Sequence, residues 1–183
     1  MDFARLQLRK TIDEARDALW NLHQADSDAA SLGEKLGSMT QVVESEFHVP
    51  IAFSIDGTPY AISAPVAHDL LMVAREAVSN AVLHGHPAHV WVSLEYKASE
   101  LILRFADDGC GFETSLLKTQ DGHHFGIKGM RERIERWGGG FNLKSAMGKG
   151  VHIEVQLPRN RRKIPRSRNA QSNRGDAVST NRP

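Results

Sequence analysis

The chain has 183 residues, 40% of them hydrophobic and 25% charged, enough apolar content for a packed core and too much for a disordered chain. Its net charge of +1 averages two unlike parts: residues 159–183 hold eight basic residues against Asp176 alone, or +7, and the remainder holds 15 basic and 21 acidic, or −6. A single cysteine, Cys110, excludes an intrachain disulfide and points to a reducing compartment, no apolar run approaches the roughly 18–20 residues of a membrane helix, and MDFARLQLRK lacks the apolar stretch of a signal peptide.

The length suits one domain with a helical appendage, and there is no internal repeat. Leu8, Ile12, Ala15, Leu19 and Leu22 are spaced by four and three residues in turn, with charges between them. So narrow a stripe predicts a helix that pairs with another helix. Gln24 to Ser31 breaks the pattern, and Leu32, Leu36, Met39 and Val43 then mark a second helix. Ile51–Ile55 reads as a short strand closed by a turn at Asp56-Gly57.

Pro65 to His84 is the central helix of this reading. Val66, Leu70, Val73, Ala77, Val78, Ala81 and Val82 give it a wide apolar face suited to a sheet, and Gly85 and Pro87 end it. Val90, Val92 and Leu94, then Leu101, Leu103 and Phe105, alternate as two strands of a hairpin. Residues 107–125 read as a loop, Ile127 to Trp137 as a helix closed by three glycines, and Phe141–Ser145 and Val151–Leu157 as strands joined by a turn at Met147–Gly150. Residues 159–183 read as a basic disordered tail; lacking aromatic residues, it is taken as a solvated extension, so nucleic acid is not an expected partner.

Three glycine-bearing segments fall beside regular elements: Asp107-Asp108-Gly109-Cys110-Gly111 after a strand, Gly126-Ile127-Lys128-Gly129-Met130-Arg131 at a helix start, and Gly148-Lys149-Gly150 between strands. Glycines let backbone N–H groups approach phosphate oxygens, and a helix N-terminus adds its dipole. A carboxylate such as Asp107 at a strand end suits an exocyclic amine like that of adenine. Glu76, Asn80 and His84 stand at i, i+4 and i+8 on a face other than the apolar one, an arrangement suited to a hard cation and phosphate. His84, His86 and His89 lack a completing Cys or carboxylate nearby, and no G-x-x-x-x-G-K-[ST] loop is present.

EAVSNAVLHG (76–85), DDGCGF (107–112), GIKGMRERIERWGG (126–139) and GKGVHIEVQLP (148–158), in that order, resemble the ATP-binding boxes of the Bergerat-fold superfamily of histidine kinases and gyrase-like, heat-shock and mismatch-repair ATPases. The resemblance covers roughly 30–158 and is greatest to the short-lid histidine kinase branch whose glycine box reads GLxGMRER. It implies a two-layer α/β sandwich, with one mixed sheet of about five strands covered on one face by helices. Residues 1–23 are similar to the second dimerisation helix of that branch, which implies a homodimer through this helix, an ATP-binding domain at 24–158 and the tail beyond.

The resemblance also assigns roles. Asn80 coordinates Mg²⁺ on the ATP phosphates, and Glu76 orients a water or that metal site. Asp107 reads the adenine amine, and Gly109 and Gly111 pass beneath the base. Gly126 and Gly129, with Met130, frame the lid hinge. Gly148 and Gly150 form the last box. Arg131 or Arg133 faces phosphate, or pairs with Glu132 or Glu135. His84 lies near the phosphates, or serves the helix C-terminus. Leu83 and Val151 replace a Lys and a Thr of many relatives, removing two possible phosphate partners. His23 lies outside any E-L-H-D-like segment, so the phosphoacceptor histidine is expected on a helix upstream, with a response regulator as the final acceptor. The chain is thus expected to be the cytoplasmic catalytic piece of a sensor kinase. The alternatives are an anti-sigma or serine kinase switch protein of the same fold and a pseudokinase scaffold.

Overall fold

The computed structural model describes residues 31–115 and 125–159. The seam helix expected at 1–23, residues 116–124 of the loop, and the tail from residue 160 lie outside the described residues.

Helix α1 (Leu32–Phe47) begins in a reciprocal cap. Ser31 Oγ accepts from Glu34 N at 3.3 Å, and Glu34 Oε2 accepts from Ser31 N at 2.6 Å. Leu32, Leu36 and Met39 are buried as their spacing predicts, and Val43 is partly buried. Helix α2 (Ala64–Asn80) starts with Pro65 in its first turn, where a missing N–H costs nothing, and buries Leu70, Val73, Ala77 and Val78. The predicted helix was continuous to His84. The structure instead changes at Ala81 to one π-helical turn, Ala81–Gly85, closed by His86 at φ 48°. Such turns occur where a backbone is re-aimed, and this one delivers Gly85 to the loop after the third strand.

Strands β1 (Ile51–Gly57), β2 (Val90–Tyr96), β3 (Glu100–Asp107), β4 (Gly140–Ser145) and β5 (Val151–Pro158) form one mixed sheet in the order β1-β2-β3-β5-β4. Only β1 and β2 are parallel, joined through α2; the other pairs are antiparallel. The first strand outlasts its predicted end at Ile55, because Asp56 and Gly57 continue the register onto Glu95 and Tyr96. Helix α3 (Phe125–Glu135) completes the helical layer. Helix α2 lies between α1 and α3, with α1 toward β1 and α3 toward β4. The fold is the α/β sheet-and-helix arrangement that the sequence predicts.

Alternation, broken only by the buried Ile102 of β3 among these strands, explains the one-sided cover. Val90, Val92, Leu94 and Tyr96 of β2 are buried with Leu101, Leu103 and Phe105 of β3 and Ile153, Val155 and Leu157 of β5. Each such side chain contributes about 1.5–3 kcal/mol when fully buried. The opposite face carries charge: Arg104 donates to Glu154 Oε2 at 2.7 Å and to Glu95 Oε2 at 2.8 Å, bridging three neighbouring strands. Arg159, assigned by composition to the tail, instead continues from β5 to the turn between β2 and β3. Its N–H donates to Ser99 O at 2.7 Å and its guanidinium lies 3.9 Å from the Tyr60 ring centroid, a cation–π contact that composition cannot reveal.

Candidate nucleotide site

Two clusters meet at the end of α2. The first lies on the helix itself. Asn80 Nδ2 donates to Glu76 Oε1 at 2.9 Å, as the i, i+4 spacing predicts. Gly126, the second residue of α3, lies so close that a methyl group there would overlap Glu76 Oε1. Both side chains are part-buried. With its nitrogen engaged, Asn80 turns its amide oxygen the other way. One such oxygen suits Mg²⁺, which keeps several waters and binds through few protein ligands plus substrate phosphates. Among the described residues there is no group of three or more His, Cys, Asp or Glu side chains fit to cage a metal. The donor set therefore fits a cation that arrives with phosphate.

The second cluster is built on Asp107, the last residue of β3, 6% exposed. Its Oδ1 accepts from Gly109 N at 2.9 Å. Burial pushes its pKa above the ordinary aspartate value, opposed by that N–H and by Val151 N–H. The loop after Asp107 is fixed from both sides. Cys110 N donates to Gly85 O at 2.9 Å, Gly150 N to Gly109 O at 3.0 Å, and Gly148 N to Cys110 O at 2.6 Å. Ser145 Oγ accepts from Phe112 N and donates to Gly150 O, both at 2.8 Å. The backbones crowd here. A methyl group at Gly109 would strike the Gly85 carbonyl, and one at Gly150 the Asp107 carbonyl. Gly150 also has φ +65°, which an L side chain rarely adopts.

The structure thus gathers Asp107, Gly109, Gly111, Gly148 and Gly150 around one loop, and Glu76, Asn80 and Gly126 around one carboxylate. Five predicted residues stand apart. Met130 is buried in the common core, with no surface for a ligand. Arg131 donates to Phe141 O at 3.1 Å, lies 5.1 Å from the Phe141 ring centroid and reaches Glu135 at 4.0 Å. Arg133 pairs with Asp69 at 3.2 Å, a partner the sequence does not suggest. His84 is exposed on the π turn, where the α-helical spacing argument stops, and its carbonyl accepts from Cys110 Sγ at 3.5 Å. Gly129 has open space around its Cα. Leu83 is exposed, and Val151 packs against the core.

Several participants escape sequence reasoning. Gly85 reads as a helix stop, yet its carbonyl anchors the Cys110 amide. Ser145 ends a strand with no motif around it. Asp108 Oδ1 accepts from His89 N at 2.9 Å and Oδ2 lies 3.2 Å from its ring, contacts that hold the Asp108 pKa low. Only the adjacent acids of Asp107-Asp108 hinted that one faces in and the other out.

A carboxylate at the end of a sheet strand, a glycine loop stitched to a helix end, and a second glycine segment opening a helix define a nucleotide-binding ATPase domain of the sheet-and-helix class. Residues 66–161 match the model of the histidine kinase-, DNA gyrase B- and HSP90-like ATPases, and the chain belongs to that family. It is 32% identical over 146 residues to the sensor histidine kinase LiaS of Bacillus subtilis, covering 80% of this chain and 39% of that protein. Sensor protein VraS of Staphylococcus haemolyticus is 30% identical over 148 residues, 81% of this chain and 41% of that protein. The chain therefore spans about two-fifths of the length of these relatives. The histidine kinase domain of the blue-light activated histidine kinase of Erythrobacter litoralis has the same fold, with a TM-score of 0.57 at 19% identity over 74% of this chain and 67% of that one. ShkA, solved full-length in complex with AMPPNP, gives a TM-score of 0.59 at 16% identity over 70% of this chain and 30% of that one. Among the described residues, no helix is long and apolar enough to cross a membrane.

Proposed function

We propose that this chain binds ATP with Mg²⁺ and forms the catalytic part of a two-component sensor histidine kinase. The observation that carries the reading is the buried Asp107 carboxylate, held by Gly109 N–H and enclosed by the Gly85 and Gly150 backbones, beside the Glu76–Asn80 pair. Asp107 accepts from the exocyclic amine of adenine, and the lack of side chains at Gly109 and Gly111 lets the loop beside it pack against the Gly85, Ala146 and Gly150 carbonyls. Asn80 Oδ1 supplies the protein oxygen to a phosphate-bound Mg²⁺, and Glu76 orients that amide through the 2.9 Å bond. Mg²⁺, when bound, neutralises developing phosphate charge. The backbone N–H groups opening α3 face the same region, where the dipole favours anions. Since residues 1–158 carry −6, these local donors, not bulk charge, must hold the phosphates.

The work of the domain is positioning. The γ-phosphoryl leaves ADP and forms a P–N bond to an imidazole on a dimerisation helix, then passes to an aspartate of a response regulator. The reading places residues 1–23 in a dimerisation domain of a homodimer, 24–158 in the ATP-binding domain, and the chain in the cytoplasm as a member of the short-lid branch. It is supported by the sensor kinases among the relatives and by the nucleotide analogue in the ShkA structure. The test is incubation of this chain, extended by the upstream helix that carries the acceptor histidine, with γ-labelled ATP and Mg²⁺. Acid-labile label is expected, and its loss in Asn80→Ala. An unlabelled extended chain would overturn the kinase reading.

A further inference from the structure

Asp69 is 4% exposed, seven residues before Glu76 and eleven before Asn80 on α2. Those spacings put all three on one stripe of the helix. Its carboxylate takes two hydrogen bonds and one further ion pair from the C-terminal end of α3. Trp137 Nε1 donates to Oδ2 at 2.6 Å, Arg133 Nη1 to Oδ1 at 3.2 Å, and Arg136 Nη1 lies 3.6 Å from Oδ2. On α3, Gly126, Met130, Arg133 and Trp137 follow one another at helical spacings of four and three. The two helices therefore run antiparallel with matched stripes. Gly126 sits on Glu76 at one end, Trp137 and Arg133 sit on Asp69 at the other, and the buried Val73 and Met130 lie between.

Trp137 itself is held firmly. Gly139 N donates to Ile134 O at 3.1 Å and Gly138 N to Glu135 O at 2.9 Å, with Gly138 at φ +70°, the hydrogen-bond pattern that closes a helix with a left-handed residue. The indole stands at the cap of α3, so its grip on Asp69 fixes how far α3 slides along α2. A slide of one residue is about 1.5 Å, enough to lift Gly126 off Glu76.

We propose that Asp69 is a positioning residue for the phosphate end of the nucleotide site: by clamping the C-terminus of α3 it sets the distance between the α3 N-terminus and the Glu76–Asn80 pair. This rests on the proposed ATP site. Asp107 and its loop bond to Gly85 and to the β4–β5 turn and take no contact from Asp69, so the base end is independent of the clamp. The two ends are separable by ligand, because adenosine carries the base without phosphate.

The experiment measures binding of Mg-ATP and of adenosine to the full chain, calorimetrically, for the wild type, Asp69→Asn and Trp137→Phe. Asp69→Asn keeps an oxygen for the indole N–H but loses the charge for both arginines. Trp137→Phe keeps an aromatic ring at a half-exposed position and removes the N–H donor together with the five-membered ring that carries it, so it tests the clamp even where the first variant fails to fold. Mg-ATP affinity is expected to fall about tenfold in Asp69→Asn, the size of one lost charge-assisted bond. A smaller fall is expected in Trp137→Phe, with adenosine affinity unchanged in both. Equal losses for the two ligands, or no loss for either, overturn the positioning role. A wild-type chain that binds neither ligand overturns the nucleotide reading itself, before any variant is compared.

Discussion

Asn80 Nδ2 lies 2.9 Å from Glu76 Oε1, and this single bond fixes which atom of the carboxamide is free to face a ligand. Without Glu76 the amide can rotate and present either end. Glu76→Ala is therefore expected to weaken the dependence of ATP affinity on Mg²⁺, and Asn80→Ala to abolish it. Titrations of each variant with ATP, with and without Mg²⁺, read the difference directly. Retention of the full Mg²⁺ effect in Asn80→Ala contradicts the role given to its oxygen.

Gly148 and Gly150 share a positive φ but not their surroundings. Alanine at Gly148 meets open space and carries only the conformational cost, about 1–2 kcal/mol for a left-handed L residue. Alanine at Gly150 carries the same cost and also strikes the Asp107 carbonyl, which is backbone and cannot swing away. Thermal unfolding should show a modest loss for Gly148→Ala and a several-fold larger one for Gly150→Ala. Equal losses contradict the close packing of the loop.

Acidification should act on the base end first. In the proposed site Asp107 accepts the adenine amine most strongly as a carboxylate, and burial holds its pKa above the ordinary aspartate value. Affinity is thus expected to fall at a higher pH than an unperturbed aspartate would dictate. The sign for stability is the reverse. A raised carboxyl pKa means the folded state disfavours the charged form, so the penalty is full above the folded pKa and vanishes as pH falls below the unfolded one. Asp107→Asn should raise the neutral-pH Tm while removing adenosine binding. A lowered Tm in that variant argues against desolvation as the dominant cause.

The open sheet face has its own pH signature. Arg104 holds the pKa values of Glu95 and Glu154 below the ordinary glutamate value. Their contribution to stability is present above the unfolded value and is lost as pH falls through the depressed folded ones. Replacing Arg104 by Met should lower the Tm at neutral pH and flatten its fall below about pH 4.5, the usual glutamate region. A parallel fall in both proteins contradicts the bridge.

Much of this was legible in the residues. Alternation in Val90–Tyr96 and Leu101–Asp107 reports a sheet covered on one side, and the glycine segments mark where backbones meet. Helical spacing found the Glu76–Asn80 pair. It could not find the π turn at Ala81, since a change of hydrogen-bonding period leaves the apolar pattern almost intact. Arg131 and Arg133 sit in a glycine box, where the sequence leaves phosphate and a neighbouring glutamate open as partners; it does not reveal their contacts with Phe141 and Asp69, which lie close only in the folded chain. Asp69 itself looks like a solvated helix acid, and its burial depends on an indole 68 residues away.

The central claim is that Asp107 reads the amine of adenine in a nucleotide site. The most direct test is calorimetric titration of the chain with Mg-ATP and with Mg-GTP, whose base presents a carbonyl where adenine has its amine. Saturable binding of ATP, with GTP at least tenfold weaker and the preference lost in Asp107→Asn, is the predicted result. No ATP binding at millimolar nucleotide, or equal binding of GTP, would contradict it.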